Sequence, residues 1–189
     1  KYEFKTLDGS PLPEWSAGAH LDIVVAPEFL RQYSLSGNPA DRTRYQIGVL
    51  REELGRGGSK LMHRIFAKGR KIFVSKPINH FELVEEAKKI FLMGGGIGIT
   101  PMIAFAHRLH ALGSRFELHY SASDQDSAGY LDDLSKVPWA DKVFYYFSNQ
   151  GKRADLNLIL GRYKAGWHVY TCGPERYMDA VIFAAKKSG

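Results

Sequence analysis

Ile90-Phe91-Leu92-Met93-Gly94-Gly95-Gly96-Ile97-Gly98-Ile99-Thr100-Pro101 is the stretch on which the fold turns. Four apolar residues followed by a dense glycine run predict a buried strand that ends in a tight turn. Thr100 suits the cap of a following helix, and Pro101 its first turn, where a missing N–H costs nothing. Glycines at such a turn let a pyrophosphate approach backbone N–H groups at the positive end of a helix. The run is not the ordinary dinucleotide fingerprint, because G-x-G-x-x-G counted from Gly94 or Gly96 needs glycine where Ile99 or Pro101 stands. A tight strand-to-helix turn with no ligand is the competing reading of this segment alone. The uncharged run from Ile90 to His107 is interrupted by four glycines and Pro101, which argues against a helix that spans lipid.

Downstream, apolar strands alternate with helical segments: a strand over Phe116 to Tyr120, a helix near Leu131, strands over Val143 to Phe147 and His168 to Cys172, and a helix from Glu175. This is the rhythm of a doubly wound parallel sheet. A second turn resembling the first follows the last strand, Thr171-Cys172-Gly173-Pro174-Glu175, with proline again opening a helix. Ligands bind at the carboxyl ends of such strands, so both turns can face one molecule. Taken alone, Cys172 reads as a small apolar core residue, and its place at a strand's carboxyl end makes it a candidate for a site.

Upstream the texture differs. Short runs at Leu21 to Val25, Arg31 to Leu35, Tyr45 to Leu50 and Lys71 to Val74 alternate apolar and polar residues between Gly, Pro, Asn and Asp turns. That spacing predicts an antiparallel sheet or small barrel, with one helix from about Gly58 to Ala67 where Leu61, Met62 and Ile65 recur at helical spacing. The expected organisation is a β-barrel domain over 1–84 and an α/β domain over 85–189, packed with a crevice between them of the kind cofactors favour.

Composition bounds the chemistry. At 189 residues and 44% hydrophobic content the chain can fill one or two cores. The formal charge is +6, split as 13 − 9 = +4 over 1–84 and 13 − 11 = +2 over the rest, a mild bias toward acidic partners or phosphates. Cys172 is the single cysteine, so the chain builds neither a disulfide framework nor a cysteine-held zinc or iron–sulfur site of its own. A reducing, cytoplasmic setting is allowed. Lys1 is not an initiator, so the sequence is expected to be part of a longer one.

His107 and His110 lie three apart on the predicted helix with no third metal ligand evident. Neither H-E-x-x-H nor G-x-S-x-G occurs, which sets hydrolysis aside. Gly55-Arg56-Gly57-Gly58-Ser59 precedes the first helix, where Ser59 and free N–H groups could hold a phosphate, although the pattern is not that of a P-loop. From Leu54 to Phe81 there are seven basic residues and no acidic one, either a solvated face or a docking surface for an electron partner. A non-enzymatic module that binds nucleic acid or an acidic protein through this face is the rival from another class. No recognised nucleic-acid motif appears.

Arg31-Gln32-Tyr33-Ser34, the glycine turn and Cys172-Gly173-Pro174, in that order, resemble the ferredoxin–NADP reductase superfamily, with its R-x-Y-S, G-G-x-G-x-T-P and C-G-P motifs. Within it the chain is similar to the phthalate dioxygenase reductase family, on Arg31-Gln32-Tyr33-Ser34-Leu35, Gly55 to Ser59, and Pro77-Ile78-Asn79-His80-Phe81. In the last segment Ile78 stands where the family has arginine.

The resemblance implies a flavin-binding barrel and a nicotinamide-binding α/β domain. It assigns Arg31 to the flavin phosphate, Tyr33 to the ring system and Ser34 to N5, roles that guanidinium, phenol and hydroxyl can chemically fill. Gln32, Leu35, Val49, Gly57, Gly58 and Ser59 complete the implied flavin site. Gly95, Gly96, Ile97, Gly98, Thr100, Pro101, Ser121, Ser123, Asp124, Cys172, Gly173, Pro174 and Met178 form the implied nicotinamide site. Ser34, Thr100 and Cys172 are the residues expected at the reacting rings. The implied activity is hydride transfer from NADH to FMN and onward passage of single electrons to a ferredoxin-type 2Fe-2S centre, on a further domain or a separate protein, that serves an oxygenase. FAD in place of FMN is the alternative.

NADH is the expected nicotinamide because no Lys or Arg occurs from Phe116 to Ser135, whereas Asp124, Asp126, Asp132 and Asp133 do. A 2′-phosphate beside the second strand would need a cation, and an arginine distant in sequence such as Arg153 would have to fold in to supply it.

Overall fold

The computed structural model describes residues 1–161 and 163–188. The chain divides into two compact units, Lys1–Glu82 and Leu83–Gly189.

In the first unit β1 (Tyr2–Phe4) pairs antiparallel with β4 (Tyr45–Ile47), and β2 (His20–Ala26) with β3 (Phe29–Ser34). A single bridge, Leu35 to Ile47, links the two ladders, and bridges from Ile23 to Val74 and His20 to Ile78 extend the edge of β2. The result is a small antiparallel barrel with interrupted seams. Period-two alternation fills it: Leu21, Ile23 and Val25 from β2 meet Leu35, Tyr45 and Ile47 in one buried cluster. The Tyr45 hydroxyl donates to the Pro13 carbonyl at 2.7 Å, so a buried polar tip is satisfied.

The expected strand at Lys71 to Val74 is reduced to the bridge at Val74. Phe73 is 83% exposed and has no apolar layer to face, so the segment is tied to β2 by the Val24 N–H on the Phe73 carbonyl and by Ser75, whose N–H donates to the Asp22 carbonyl and whose hydroxyl oxygen accepts the Asp22 N–H. Helix α1 (Gly58–Ile65) is short and amphipathic, and Met62, fully buried, anchors it to the barrel core.

In the second unit β5 (Lys89–Gly95), β6 (Phe116–Ala122), β7 (Val143–Phe147) and β8 (Trp167–Cys172) form a parallel sheet in the order β7-β6-β5-β8. Helix α2 (Ile99–Ala111) covers one face, where Phe105 meets Tyr170 at 5.0 Å between ring centroids. On the other face, Phe91 and Met93 pack with Leu160 of α4 (Leu156–Leu160) and with Val181 and Ala184 of α5 (Glu175–Lys187). The helix expected near Leu131 is a single turn, α3 (Leu131–Leu134). Helix α4 was not anticipated, and Asp155 starts it by accepting the Leu158 N–H at 3.0 Å.

The strand order positions the site. From β5 the chain builds outward through β6 to β7, then returns to place β8 on the opposite side of β5. The reversal opens a crevice at the carboxyl ends of β5 and β8, the switch point where open α/β sheets bind ligands.

Because Met62 is the fully buried side chain of α1, Met62→Ala should cost about 2–5 kcal/mol of stability, read from urea unfolding midpoints.

Candidate functional site

Both glycine turns end at the switch point, and they touch through backbone. A Cβ on Gly98 would stand 2.1 Å from the Cys172 carbonyl oxygen, and one on Gly173 would stand 2.8 Å from the Gly95 carbonyl oxygen. Neither position tolerates a side chain, since backbone atoms cannot step aside. Gly96 adopts φ 52°, in the left-handed region, which turns the chain from β5 into a short 3-10 segment before α2. A Cβ on Gly95 would strike the Tyr177 ring at 2.7 Å, so Tyr177 lies flat against the end of β5.

Thr100 is not the helix cap. Helix α2 begins at Ile99, two residues earlier than expected, because the 3-10 segment Gly96–Gly98 leads directly into it. Thr100 is buried in the first turn and donates its hydroxyl to the Ile97 carbonyl at 3.0 Å. Pro101 follows where no intrahelical N–H is required.

A cleft of about 350 Å³ adjoins these turns, lined by Gly95, Gly96, Ser121, Ala122, Ser123, Tyr146, Ser148, Lys152, Arg153, Ala154, Leu156, Pro174 and Tyr177. Of the residues expected to bind nicotinamide cofactor, it brings together Gly95, Gly96, Ser121, Ser123 and Pro174. Ile97, Gly98, Thr100, Pro101, Asp124, Cys172, Gly173 and Met178 do not line it. Gly98, Cys172 and Gly173 support its floor through the backbone contacts above. Asp124 is turned into its own loop, where Oδ1 accepts the Ser127 N–H at 2.7 Å.

Sequence reasoning missed Tyr146, Ser148, Lys152 and Tyr177. Burial pushes the Tyr177 hydroxyl up in pKa, against a smaller lowering from the nearby Ser121 hydroxyl. The two stop short of a well-formed bond, and among the described residues the buried Tyr177 oxygen has no hydrogen-bond partner. An orphaned hydroxyl at a cleft is a group a ligand can satisfy.

Beneath the cleft runs a buried polar chain. His119, 3% exposed, bonds through Nδ1 to the Tyr146 hydroxyl at 2.9 Å and through Nε2 to Glu117 at 3.3 Å. Glu117 pairs with Lys89, whose ammonium sits over the rings of Phe91 and Trp167. Burial works to raise the Glu117 carboxyl, but the Lys89 ammonium, with help from His119, holds it below the usual range. Because ionised Glu117 only accepts, neutral His119 carries its proton on Nε2 and accepts from Tyr146. Burial lowers the His119 pKa despite Glu117. Cys172 is half-buried, and burial pushes its thiol up, against a smaller lowering by the Gly173 N–H, so it is a thiol at neutral pH.

In the first unit Arg31 and Tyr33 project from one side of β3. The Arg31 guanidinium lies over the Phe29 ring at 4.9 Å and occupies the space a Cβ on Gly58 would need, with Nε 2.5 Å from that point. It is thus held against the start of α1. Gly57, at φ 85°, opens that helix with no side-chain cap and no acidic residue in the first turn. Free N–H groups and a guanidinium together make an anion cradle. Ser59 accepts the Glu52 N–H at 3.2 Å, keeping its own proton available.

Tyr33 packs partly into the barrel core, and burial raises its pKa. Ser34 ends β3 opposite His20. Gln32 donates to Asp22 at 2.9 Å. Leu35 and Val49 are core residues, at 0% and 8% exposure. In the Pro77 to Phe81 segment, Asn79 donates to Ser16 and Ala17 and accepts from Phe81, a structural clasp. His107, weighed as a metal ligand, packs edge-on to Trp139 at 5.2 Å.

An antiparallel barrel with an anion cradle, followed by a doubly wound domain with paired glycine turns, is the fold of the ferredoxin–NADP reductase type. The chain matches the solved phthalate dioxygenase reductase, described as a modular structure for electron transfer from pyridine nucleotides to [2Fe-2S], with a TM-score of 0.92 and 36% identity, over 97% of this chain and 58% of that one. It is 41% identical over 185 residues to the tert-butanol monooxygenase / tert-amyl alcohol desaturase reductase subunit of Aquincola tertiaricarbonis, covering 97% of this chain and 55% of that protein. To the vanillate O-demethylase oxidoreductase of Pseudomonas putida it is 39% identical over 189 residues, covering 100% of this chain and 59% of the other. No protein-family model matches. The chain is therefore homologous, along its whole length, to the oxygenase reductases of the phthalate dioxygenase reductase family, and spans a little over half the length of these relatives. Among the described residues no helix is long and apolar enough to cross a membrane.

The buried imidazoles carry a pH dependence. His119 and His107 both have pKa values lowered by burial, whereas in the unfolded chain they titrate near 6.5. As pH falls below about 6.5 the unfolded state takes up protons first, so stability declines until the lower native pKa values are passed. Urea unfolding between pH 7 and pH 5 should show this decline, and His119→Phe should make it shallower.

Proposed function

We propose that this chain is the flavin- and nicotinamide-binding part of an NADH-dependent oxidoreductase that passes electrons singly to a ferredoxin-type 2Fe-2S centre serving an oxygenase. The observation that carries this reading is the backbone contact of Gly98 with Cys172 and Gly173 at the sheet's switch point, beside a cleft with an orphaned tyrosine hydroxyl. Sequence relatives named as oxygenase reductase subunits support the same reading.

Bound flavin supplies the chemistry that divides a hydride's electron pair into single electrons. The chain's own residues bind and orient. Arg31 and the free N–H groups at the start of α1 grip a terminal phosphate, which favours FMN over FAD. Tyr33 offers a planar face and Ser34 a hydroxyl with no side-chain partner among the described residues. At the other site Gly95, Gly96 and Pro174 admit the cofactor's pyrophosphate to backbone, with Ser121 and Ser123 toward the adenosine ribose. In this reading Thr100 and Cys172, on the two turns beside the cleft, lie next to the nicotinamide. Its raised pKa makes Cys172 a positioning thiol and not a nucleophile.

Heat release followed by chromatography should recover FMN from the purified yellow protein, and recovery of FAD would overturn that choice. Arg31→Ala removes a charge-assisted phosphate contact worth roughly 1.5–3 kcal/mol. Flavin occupancy measured by absorbance should fall about tenfold or more.

Cys172→Ala should slow flavin reduction by NADH in stopped-flow mixing while flavin stays bound. An unchanged rate would reduce Cys172 to a packing residue. Mass spectrometry after turnover should find no covalent adduct on the thiol.

A further inference from the structure

The cleft carries a charge that its neighbouring sequence does not suggest. Lys152 and Arg153 line it together with Ser121, Ser123 and Ser148, and no acidic side chain lines it. Both cations are exposed, and among the described residues neither side chain is engaged in a hydrogen bond or ion pair. Asp124, which the local sequence offered as the ribose partner, faces its own loop and bonds to the Ser127 N–H. The segment that presents the cations is tied to the end of β6. The Asn149 N–H donates to the Ser123 carbonyl at 2.9 Å, the Ser148 hydroxyl donates to the same oxygen at 3.3 Å, and the Lys152 N–H returns to the Phe147 carbonyl at 3.2 Å. Gly151, at φ 69°, makes the turn between them.

Position along the sheet gives these cations a role. The glycine turns lie on β5 and β8, whereas Ser121 and Ser123 follow β6, and Lys152 and Arg153 follow β7. A dinucleotide with its pyrophosphate at the glycine turns extends its adenosine arm toward β6 and β7, and ends beside the two cations. The chemistry that a guanidinium and an ammonium recognise there, with serine hydroxyls beside them, is a phosphate monoester.

We propose that Lys152 and Arg153 form a subsite for a phosphate on the adenosine ribose, so that the cleft takes 2′-phosphorylated dinucleotide, NADPH, as well as NADH. The proposal rests on reading the cleft as the dinucleotide site. It makes the segment after β7, and not the loop after β6, the determinant of cofactor preference.

Calorimetric titration of the flavin-loaded protein with 2′,5′-ADP and with 5′-ADP tests it. The 2′-phosphorylated nucleotide should bind about tenfold or more tightly than 5′-ADP. The double variant Lys152→Gln/Arg153→Gln should bring the ratio of the two affinities to within about twofold of one, and Asp124→Asn should leave the ratio unchanged. If 5′-ADP binds but 2′,5′-ADP binds no better, or if the preference survives in the double variant, the subsite is refuted and the dinucleotide reading stands. If neither nucleotide binds, the dinucleotide reading falls and the subsite with it.

Discussion

The second unit depends on a contact between two pieces of bare backbone. Where Gly98 meets the Cys172 carbonyl there is no room for a methyl group, and Gly173 presses as closely on Gly95. The contact lets the turn after β5 and the turn after β8 share one surface, although more than seventy residues separate them in sequence. Glycine's missing Cβ is used here for proximity more than for unusual dihedrals. Gly98 and Gly95 have ordinary negative φ values of −62° and −109°, and among these turns only Gly96 and Gly173 lie in territory that other residues avoid.

Beneath that surface the sheet is held by polar groups that would be costly if left unpaired. Lys89, Glu117, His119 and Tyr146 come from three strands, β5, β6 and β7, and each satisfies the next. A partly buried ion pair of this kind adds little net stability over an apolar packing, but removing one member leaves its partner's charge uncompensated. Its clearer consequence is specificity: β6 must be seated so that His119 lies between the carboxylate and the phenol. Phe144 stacks on His119 at 5.0 Å and completes the enclosure. Tyr146 connects this chain to the cleft, so the orientation of a cleft wall is set from inside the sheet.

Much of this was legible in the sequence, for identifiable reasons. Runs of apolar and aromatic residues such as Ile90 to Met93 and Val143 to Phe147 read as strands of a parallel sheet, and the turn chemistry of glycine and proline marked where β5 and β8 ended. Legibility failed where tertiary context decided. Lys71 to Val74 predicts a strand, yet Phe73 finds no layer to pack against, so the strand collapses to one bridge. The three residues of β1 are too few to carry a period, and they pair only because β4 offers an edge. Helix α4 hid behind a five-residue span whose signal was the single cap at Asp155. Leu35 and Val49, which the resemblance puts in the flavin site, have side chains that belong to the barrel core.

Charge was the hardest property to read, because electrostatic potential belongs to a place in the fold and not to a segment. The twenty residues from Phe116 to Ser135 hold acids and no bases, and taken by themselves they describe a site hostile to phosphate. Folding reverses this by two separate acts. An Asx-type turn draws the Asp124 carboxylate onto its own backbone, where the Ser127 N–H spends one of its lone pairs. Strand β7 then delivers Lys152 and Arg153 to the same wall from thirty residues away, through a turn whose backbone bonds to Ser123. In a parallel sheet all strand ends open on one edge, so the potential at any one end is written by its neighbours' loops as much as by its own.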